Sequence, residues 1–539
     1  MSEDSYDFVV VGAGSSGAAL AARLSEGGDC RVALIEAGGC DRNVWFHVPL
    51  GVGKLLTNPA FVWPFRSTPQ AGLQGQQIYS PRGKVLGGSS AVNGMAYIWG
   101  DRAVYDGWDV DGWRWDDVLP YFRRLENNPF SSHSNRGHAG PVRITDRKYY
   151  DPDPISDAFL GACVSHGIAE TEDYNVGSYE GARYLEQTAW RGIRQSTARA
   201  YLRDAAARSN LDVITDAPVL RIDFDGRRAI GVTVRQAGVE RQIRARREVL
   251  LAAGAIKSPQ ILELSGIGGG ERLRDLGIPI VNDLAAVGEN LGDHLQVRRT
   301  YRTRIANTIN DLLASPYHKV RLGLRYLLFR KGHLAGTSST AHAITRSKAG
   351  LDRADVMIRM YQISGADRYS RTKSGGIDRF SGFTVGGFML EPKSRGHVHA
   401  ASPDPMADPK LEPNYLDHAD DRETAVNILK LIADIAAEPA LARVIVEETR
   451  PGPEAGDDAA LLDYAKESGQ TAWHTVGSCR MGGANDSVVD ARLRVHGVEG
   501  LRVVDASVLP TIPSSNTNAA AIMVGEKGAD LVGADNRAG

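Results

Sequence analysis

DFVVVGAGSSG, residues 7–17, is the stretch that decides the fold. Residues 7–11 form a β-branched apolar run, the composition of a buried parallel strand. The next six residues fit G-x-G-x-x-G at Gly12, Gly14 and Gly17. Ser15 to Glu26 carries Leu20 and Leu24 at helical spacing, and RVALIE (31–36) predicts a second buried strand ending in an acid. The three segments make a complete βαβ unit. Gly12 permits the tight turn, Gly14 lets the backbone approach a pyrophosphate, and Gly17 lets helix and strand pack closely; the helix N-terminus favours the phosphate charge. Glu36 can accept ribose hydroxyls. This predicts dinucleotide binding and leaves FAD and NAD, and catalysis itself, open.

At 539 residues the chain can bury a large core, as two domains or one heavily elaborated one. A formal net charge of -2 gives no sign of a nucleic-acid partner. The 59 glycines follow no repeat, so they read as turns and close backbone approaches. Cys30, Cys40, Cys163 and Cys479 form neither a CxxC pair nor a disulfide framework, and Cys479 is expected to pack as a small hydrophobe. The N-terminus has no basic, then apolar, leader pattern and no stretch is long and apolar enough to span a bilayer, so a cytoplasmic location is expected.

GKVLGGSSAVNGMAYIWGDRAVYD (83–106) offers many backbone donors around Gly87, Gly88, Ser89 and Ser90, a concave anion site for a pyrophosphate or a flavin pyrimidine edge. GAIKSPQILELSGIG (254–268) follows a strand, EVLLAA, with Pro259 read as lying at a helix start, where its missing N–H costs nothing. VGENLGDHL (287–295) and LRVVDASVLPTIPSSNTNAAAIMVGEKGADL (501–531) follow in order. Together these blocks resemble the glucose-methanol-choline (GMC) oxidoreductase family, in its choline-dehydrogenase-like and alcohol dehydrogenase or oxidase branch.

The resemblance implies an α/β chain, α+β overall. It would comprise a Rossmann-like FAD domain with a parallel sheet and a substrate domain on an antiparallel sheet with helices. It implies cofactor contacts at Gly12, Gly14, Ser15, Ser16, Gly17, Glu36, Ala37, Arg82, Val85, Gly87, Ser90, Asn93, Gly94, Met95, Ala96, Val219, Trp473, Asp505, Ala506, Thr517 and Asn518. A helix is expected to begin near Asn518. Val92 stands where some members attach the flavin through histidine, so non-covalent FAD is expected.

GQTAWHTVGSCRMG (469–482) contains His474. Alone it could be a core histidine; metal ligation is weak because no ligand type stands at i+3 or i+4. The resemblance makes His474 the general base and Asn516 a hydrogen-bond donor to the substrate oxygen that helps fix its orientation. A primary alcohol would then become an aldehyde by hydride transfer to flavin N5, with electrons passing to oxygen or a quinone or dye acceptor. The alternative on the same fold is a flavin-containing lyase or decarboxylase. His397 and His399 have strand spacing, but no third ligand stands nearby and an exposed strand face explains them, so no metal is expected.

The cofactor motifs place a discontinuous FAD domain at 1–155, 205–300 and 490–539 and a substrate domain at 156–204 and 301–489. GFTVGGFMLE and RGHVHAA look like strands of an antiparallel sheet, and ETAVNILKLIADIAAE like an amphipathic helix. HKVRLGLRYLLFRKG (318–332) is basic and amphipathic: a surface helix with one packed face, or a segment lying on an anionic membrane near a quinone.

Overall fold

The βαβ unit forms as its sequence dictates. In the computed structural model, which describes residues 5–150, 152–366, 376–484 and 486–537, Ser5–Val11 pairs parallel with Val32–Ile35. Helix α1 (Ser15–Leu24) connects them, ending two residues before Glu26. A Cβ on Gly17 would fall 1.9 Å from the Gly12 carbonyl oxygen, so only glycine lets α1 sit this close to the strand.

One seven-stranded sheet grows from this unit. The long strand Val239–Leu251 is shared: its first half pairs antiparallel with Arg228–Gln236, and its second half pairs parallel with Ser5–Val11 and Leu501–Val503. Helix α2 (Gly254–Leu264) follows that strand at once. Pro259 therefore lies inside the helix, not at its start. A proline there removes the N–H that would bond the carbonyl four residues back. That carbonyl, on Ala255, instead accepts from Ser478 Oγ at 2.6 Å, so the interior position is satisfied from outside the helix.

A second seven-stranded sheet is antiparallel. It runs Ile445–Arg450, Leu295–Thr303, Gly382–Met389, Val356–Tyr361, Ser339–Thr345, Gly181–Tyr184, with Gln470–Thr471 added against Leu295–Thr303. Alternation in Gly382–Met389 predicts a half-buried strand, yet all its residues are buried, because the helix Ala419–Ala437 covers one face and the cavity described below lies toward the other. His397–His399 does form a strand, but in a separate two-stranded sheet with Lys410–Glu412.

Basic helix α3 (Pro316–Phe329) lies at the surface, and α4 (Asn518–Arg537) begins where the sequence predicts a helix. α4 packs on α1 so closely that a Cβ on Gly525 would sit 2.3 Å from the Ser16 carbonyl oxygen. Among the described residues no helix is long and apolar enough to cross a membrane. The four cysteines are unbridged and Cys479 is fully buried, as a small hydrophobe would be.

Candidate active site

A single cavity of about 910 Å3 runs between the two sheets, at the upper end of small-molecule sites. Its dinucleotide end is lined by Gly12, Gly14, Ser15, Ser16, Glu36, Ala37 and Val219. Arg82, Asn93, Gly94, Met95 and Ala96 follow, then Trp473, His474, Asp505, Ala506, Asn516, Thr517 and Asn518. The N-termini of α1 and α4 both open on it, so two helix dipoles favour negative charge there. A Cβ on Gly14 would meet nothing within 4 Å: the turn faces open cavity, as a pyrophosphate cradle must.

Four expected cofactor residues do not line the cavity. Gly17 serves packing; Val85 is buried against Phe46 and Leu55. The Gly87 N–H donates to the Ala13 carbonyl, and Ser90 Oγ bonds the Gly87 carbonyl and Thr197. They brace the glycine loops from behind. Asp505 reaches the cavity, but its carboxylate accepts from Gly254 N, Ser258 Oγ and Ser507 N, so it pins two turns together. Val92, at the site of possible covalent attachment, is a buried cavity-lining side chain without a nucleophile.

Glu36 is buried, and burial raises its pKa to about 7, opposed by N–H donors from Gly38 and Ala13 and by the Lys84 charge. The ionised form is the better acceptor for ribose hydroxyls and is lost as pH falls through that value. Cofactor retention in gel filtration is expected to weaken from about pH 8 to pH 6, and Glu36→Gln to retain less with no such pH dependence.

At the other end, Asn516 Nδ2 lies 2.7 Å from His474 Nε2, and Arg359 donates to Asn516 Oδ1, which fixes the amide's orientation. His474 Nδ1 lies 2.9 Å from His294 Nδ1, and His294 Nε2 lies 2.9 Å from the Leu390 carbonyl. A carbonyl only accepts, so His294 Nε2 carries the proton. Burial depresses the His294 pKa to about 3, so this ring is neutral and its Nδ1 is an acceptor. His474 Nδ1 must then donate. Its Nε2 is then unprotonated and accepts from Asn516 Nδ2 at the cavity wall, the form a proton acceptor needs.

Backbone and packing hold both rings. Asp293 Oδ1 accepts the N–H of His294 and of His474 at 2.9 and 2.7 Å, while its other oxygen accepts from Tyr415 and Thr471. Trp473, just before His474, has φ 67, an uncommon conformation for a bulky side chain, and its N–H donates to Thr471 Oγ1 at 2.8 Å. Phe388 stacks on His294 with ring centroids 4.5 Å apart.

Sequence reasoning singled out VGENLGDHL without giving Asp293 or His294 a role; their spacing from His474, some 180 residues, hides the link. Arg194 was also missed: fully buried, it donates to the carbonyl and Oδ1 of Asn93 and so locks the 93–96 turn. His294→Phe is expected to lower turnover roughly 10- to 100-fold and displace the pH–rate profile while leaving the cofactor spectrum unchanged, since only the tautomer control is lost.

The His397–His399 pair departs from expectation. His399 is buried, not on an exposed face, with Nδ1 2.8 Å from Glu263 and Nε2 3.0 Å from Glu289. Glu289 joins both histidines in a group whose ligand atoms lie within 4.8 Å. Burial would lower the His399 pKa, but the two carboxylates outweigh it and raise it, so the arrangement fits a charged imidazolium between glutamates.

The chain is 37% identical over 98% of its length to the oxygen-dependent choline dehydrogenase of Photobacterium profundum, covering 93% of that protein. It is 36% identical over 98% of its length to the alcohol dehydrogenase [acceptor] of Pseudomonas putida, covering 95% of it. The structure matches pyridoxine 4-oxidase from Mesorbium loti with TM-score 0.88 at 29% identity, covering 98% of this chain and 99% of that one. It matches a formate oxidase with TM-score 0.92 at 25% identity, covering 99% of each. The GMC oxidoreductase profile matches residues 6–296 in its N-terminal part and 392–525 in its C-terminal part. With sequence blocks, sheet order and relatives in agreement, the chain belongs to the GMC oxidoreductase family.

Proposed function

We propose that this protein is an FAD-dependent oxidoreductase that converts a primary alcohol to an aldehyde. The observation that carries the reading is the His294–His474 pair, which holds His474 Nε2 unprotonated in the same cavity that begins at the dinucleotide turn. Bound FAD supplies the hydride acceptor. Gly12, Gly14, Ser15 and Glu36 hold its adenine half, and Asn93 to Ala96, Asp505, Ala506 and the start of α4 its flavin half. His474 Nε2 takes the hydroxyl proton, and Asn516 Nδ2 donates to the alcohol oxygen and keeps the carbon to be oxidised turned toward the flavin.

The charge of the substrate end supports uncharged or anionic alcohols over a quaternary ammonium. Lys319, Arg359 and Arg379 line it, and the one acid lining it among the described residues, Asp378, is paired with Arg450 at 2.8 and 3.0 Å. We assign a cofactor portion to 1–155, 205–300 and 490–539 and a substrate portion to 156–204 and 301–489; sheet membership supports this except at 300, because the strand Leu295–Thr303 that crosses this boundary belongs to the antiparallel sheet.

Anaerobic mixing with a panel of primary alcohols tests the reaction: one class bleaches the yellow protein. Failure of every alcohol to bleach it, or product formation with the colour unchanged, sinks the proposal. Air admitted afterwards separates the acceptors, because rapid recovery of colour marks oxygen and persistent bleaching a quinone or dye. FAD is held non-covalently on this reading, so denaturation and filtration are expected to release all yellow colour; colour retained on the polypeptide contradicts it.

A further inference from the structure

Six of the fifteen large apolar side chains exposed among the described residues lie on one helix, α3. α3 packs on the body through a narrow stripe, with Leu322 and Tyr326 buried and His318 half-buried. At about 100° per residue, Tyr317, Val320, Leu324, Leu327 and Leu328 occupy an arc of roughly 100° opposite that stripe. Their exposures run from 53% to 71%. Lys319, Arg321 and Arg325 flank the arc, Arg330 and Lys331 follow it, and residues 316–332 contain no acid. A helix with two apolar faces, one packed and one solvated between cations, is not explained by folding.

We propose that α3 seats the enzyme on an anionic lipid bilayer, its outer apolar arc at the boundary of headgroups and acyl chains and its cations at the phosphates. Charge selects this occupant. A second copy would bring cationic flank against cationic flank, whereas anionic lipid strengthens binding roughly fivefold for each nearby cation. At about 21 Å the helix is too short to span a bilayer, so it lies in the interface. Its inner side bears on the cavity, which Lys319, Leu322 and Gly323 line. A lipophilic alcohol or acceptor dissolved in the bilayer therefore meets the enzyme at the cavity wall; this last point rests on the proposed chemistry, and the seating itself does not.

The test is flotation of the full-length holoenzyme with vesicles of phosphatidylcholine alone or mixed with phosphatidylglycerol. The enzyme is expected to float with the mixed vesicles, less with neutral ones and less as salt rises. Leu324→Ser with Leu327→Ser is expected to reduce flotation at least ~10-fold, from two exposed leucines no longer buried in lipid. Neither leucine lines the cavity, so turnover of a short soluble alcohol with a soluble dye stays unchanged in the double variant. Absence of flotation with mixed vesicles, or flotation indifferent to the double substitution, overturns the proposal. So does a dimer, seen by light scattering, that the double substitution splits, because the face then belongs to a second copy.

Discussion

His474→Ala slows anaerobic bleaching of the bound FAD by an alcohol at least ~10²-fold, with the absorbance spectrum of the resting protein unchanged. The side chain removed is the one cavity group shown to present an unprotonated nitrogen next to Asn516. General-base loss sets the scale, at roughly 10²–10⁴ in rate. The effect should fall on the reduction step, because the dinucleotide end of the cavity, Gly12 to Ala37, is untouched. Stopped-flow absorbance with saturating alcohol checks it, and an unaltered reduction rate removes His474 from the chemistry.

Arg136→Met is expected to lose about 3–5 kcal/mol of stability. Arg136 is fully buried and donates to Glu126 at 2.7 Å, Glu186 at 2.8 Å and Asp173, with its guanidinium over the Trp99 ring. Methionine would leave two buried carboxylates without their cation. Burial already raises the Glu126 pKa to about 8, against the pull of Arg136. A carboxyl whose folded pKa exceeds its unfolded one stabilises the protein when protonated, and that contribution is lost as pH rises through the folded value. Removing Arg136 raises that pKa further, so Glu126 stays protonated to higher pH in the folded variant and the gap between variant and wild type widens as pH rises above about 8 in denaturant titrations. Cofactor retention should fall as well: Glu126 accepts from Tyr97, and Tyr97 N–H is held by the Glu186 carbonyl just past the 93–96 turn. A loss below about 1 kcal/mol would mean that the cluster relaxes into solvent.

What could be read from the sequence was what repeats locally. Asp7 to Glu36 names its own structure, because strand, glycine turn, helix and strand are each written in a few consecutive residues. The site was legible wherever a motif carried it: the glycine turns, the Asn93–Ala96 segment, His474 and Asn516 all reach one cavity. Pro259 was misplaced because the rule for proline at helix starts is local, whereas the Ser478 hydroxyl that makes an interior proline tolerable is supplied by a distant segment. Gly382–Met389 reads as alternating, but the helix over it buries the outward face too. His294 and Glu289 fall in the same quoted block, yet their partners His474 and His399 are more than a hundred residues away. Burial and tautomer are properties of the assembled neighbourhood, and no window of sequence contains them.

The neutral His294 has one more effect on the proposed reaction. A proton captured at His474 Nε2 cannot be handed inward, because the ring behind it stays uncharged down to about pH 3 and its far nitrogen is tied to the Leu390 carbonyl. In the direction of His294 the base is a dead end. Its proton leaves on the cavity side, so the enzyme re-arms when the aldehyde departs and water, or the next alcohol, takes its place.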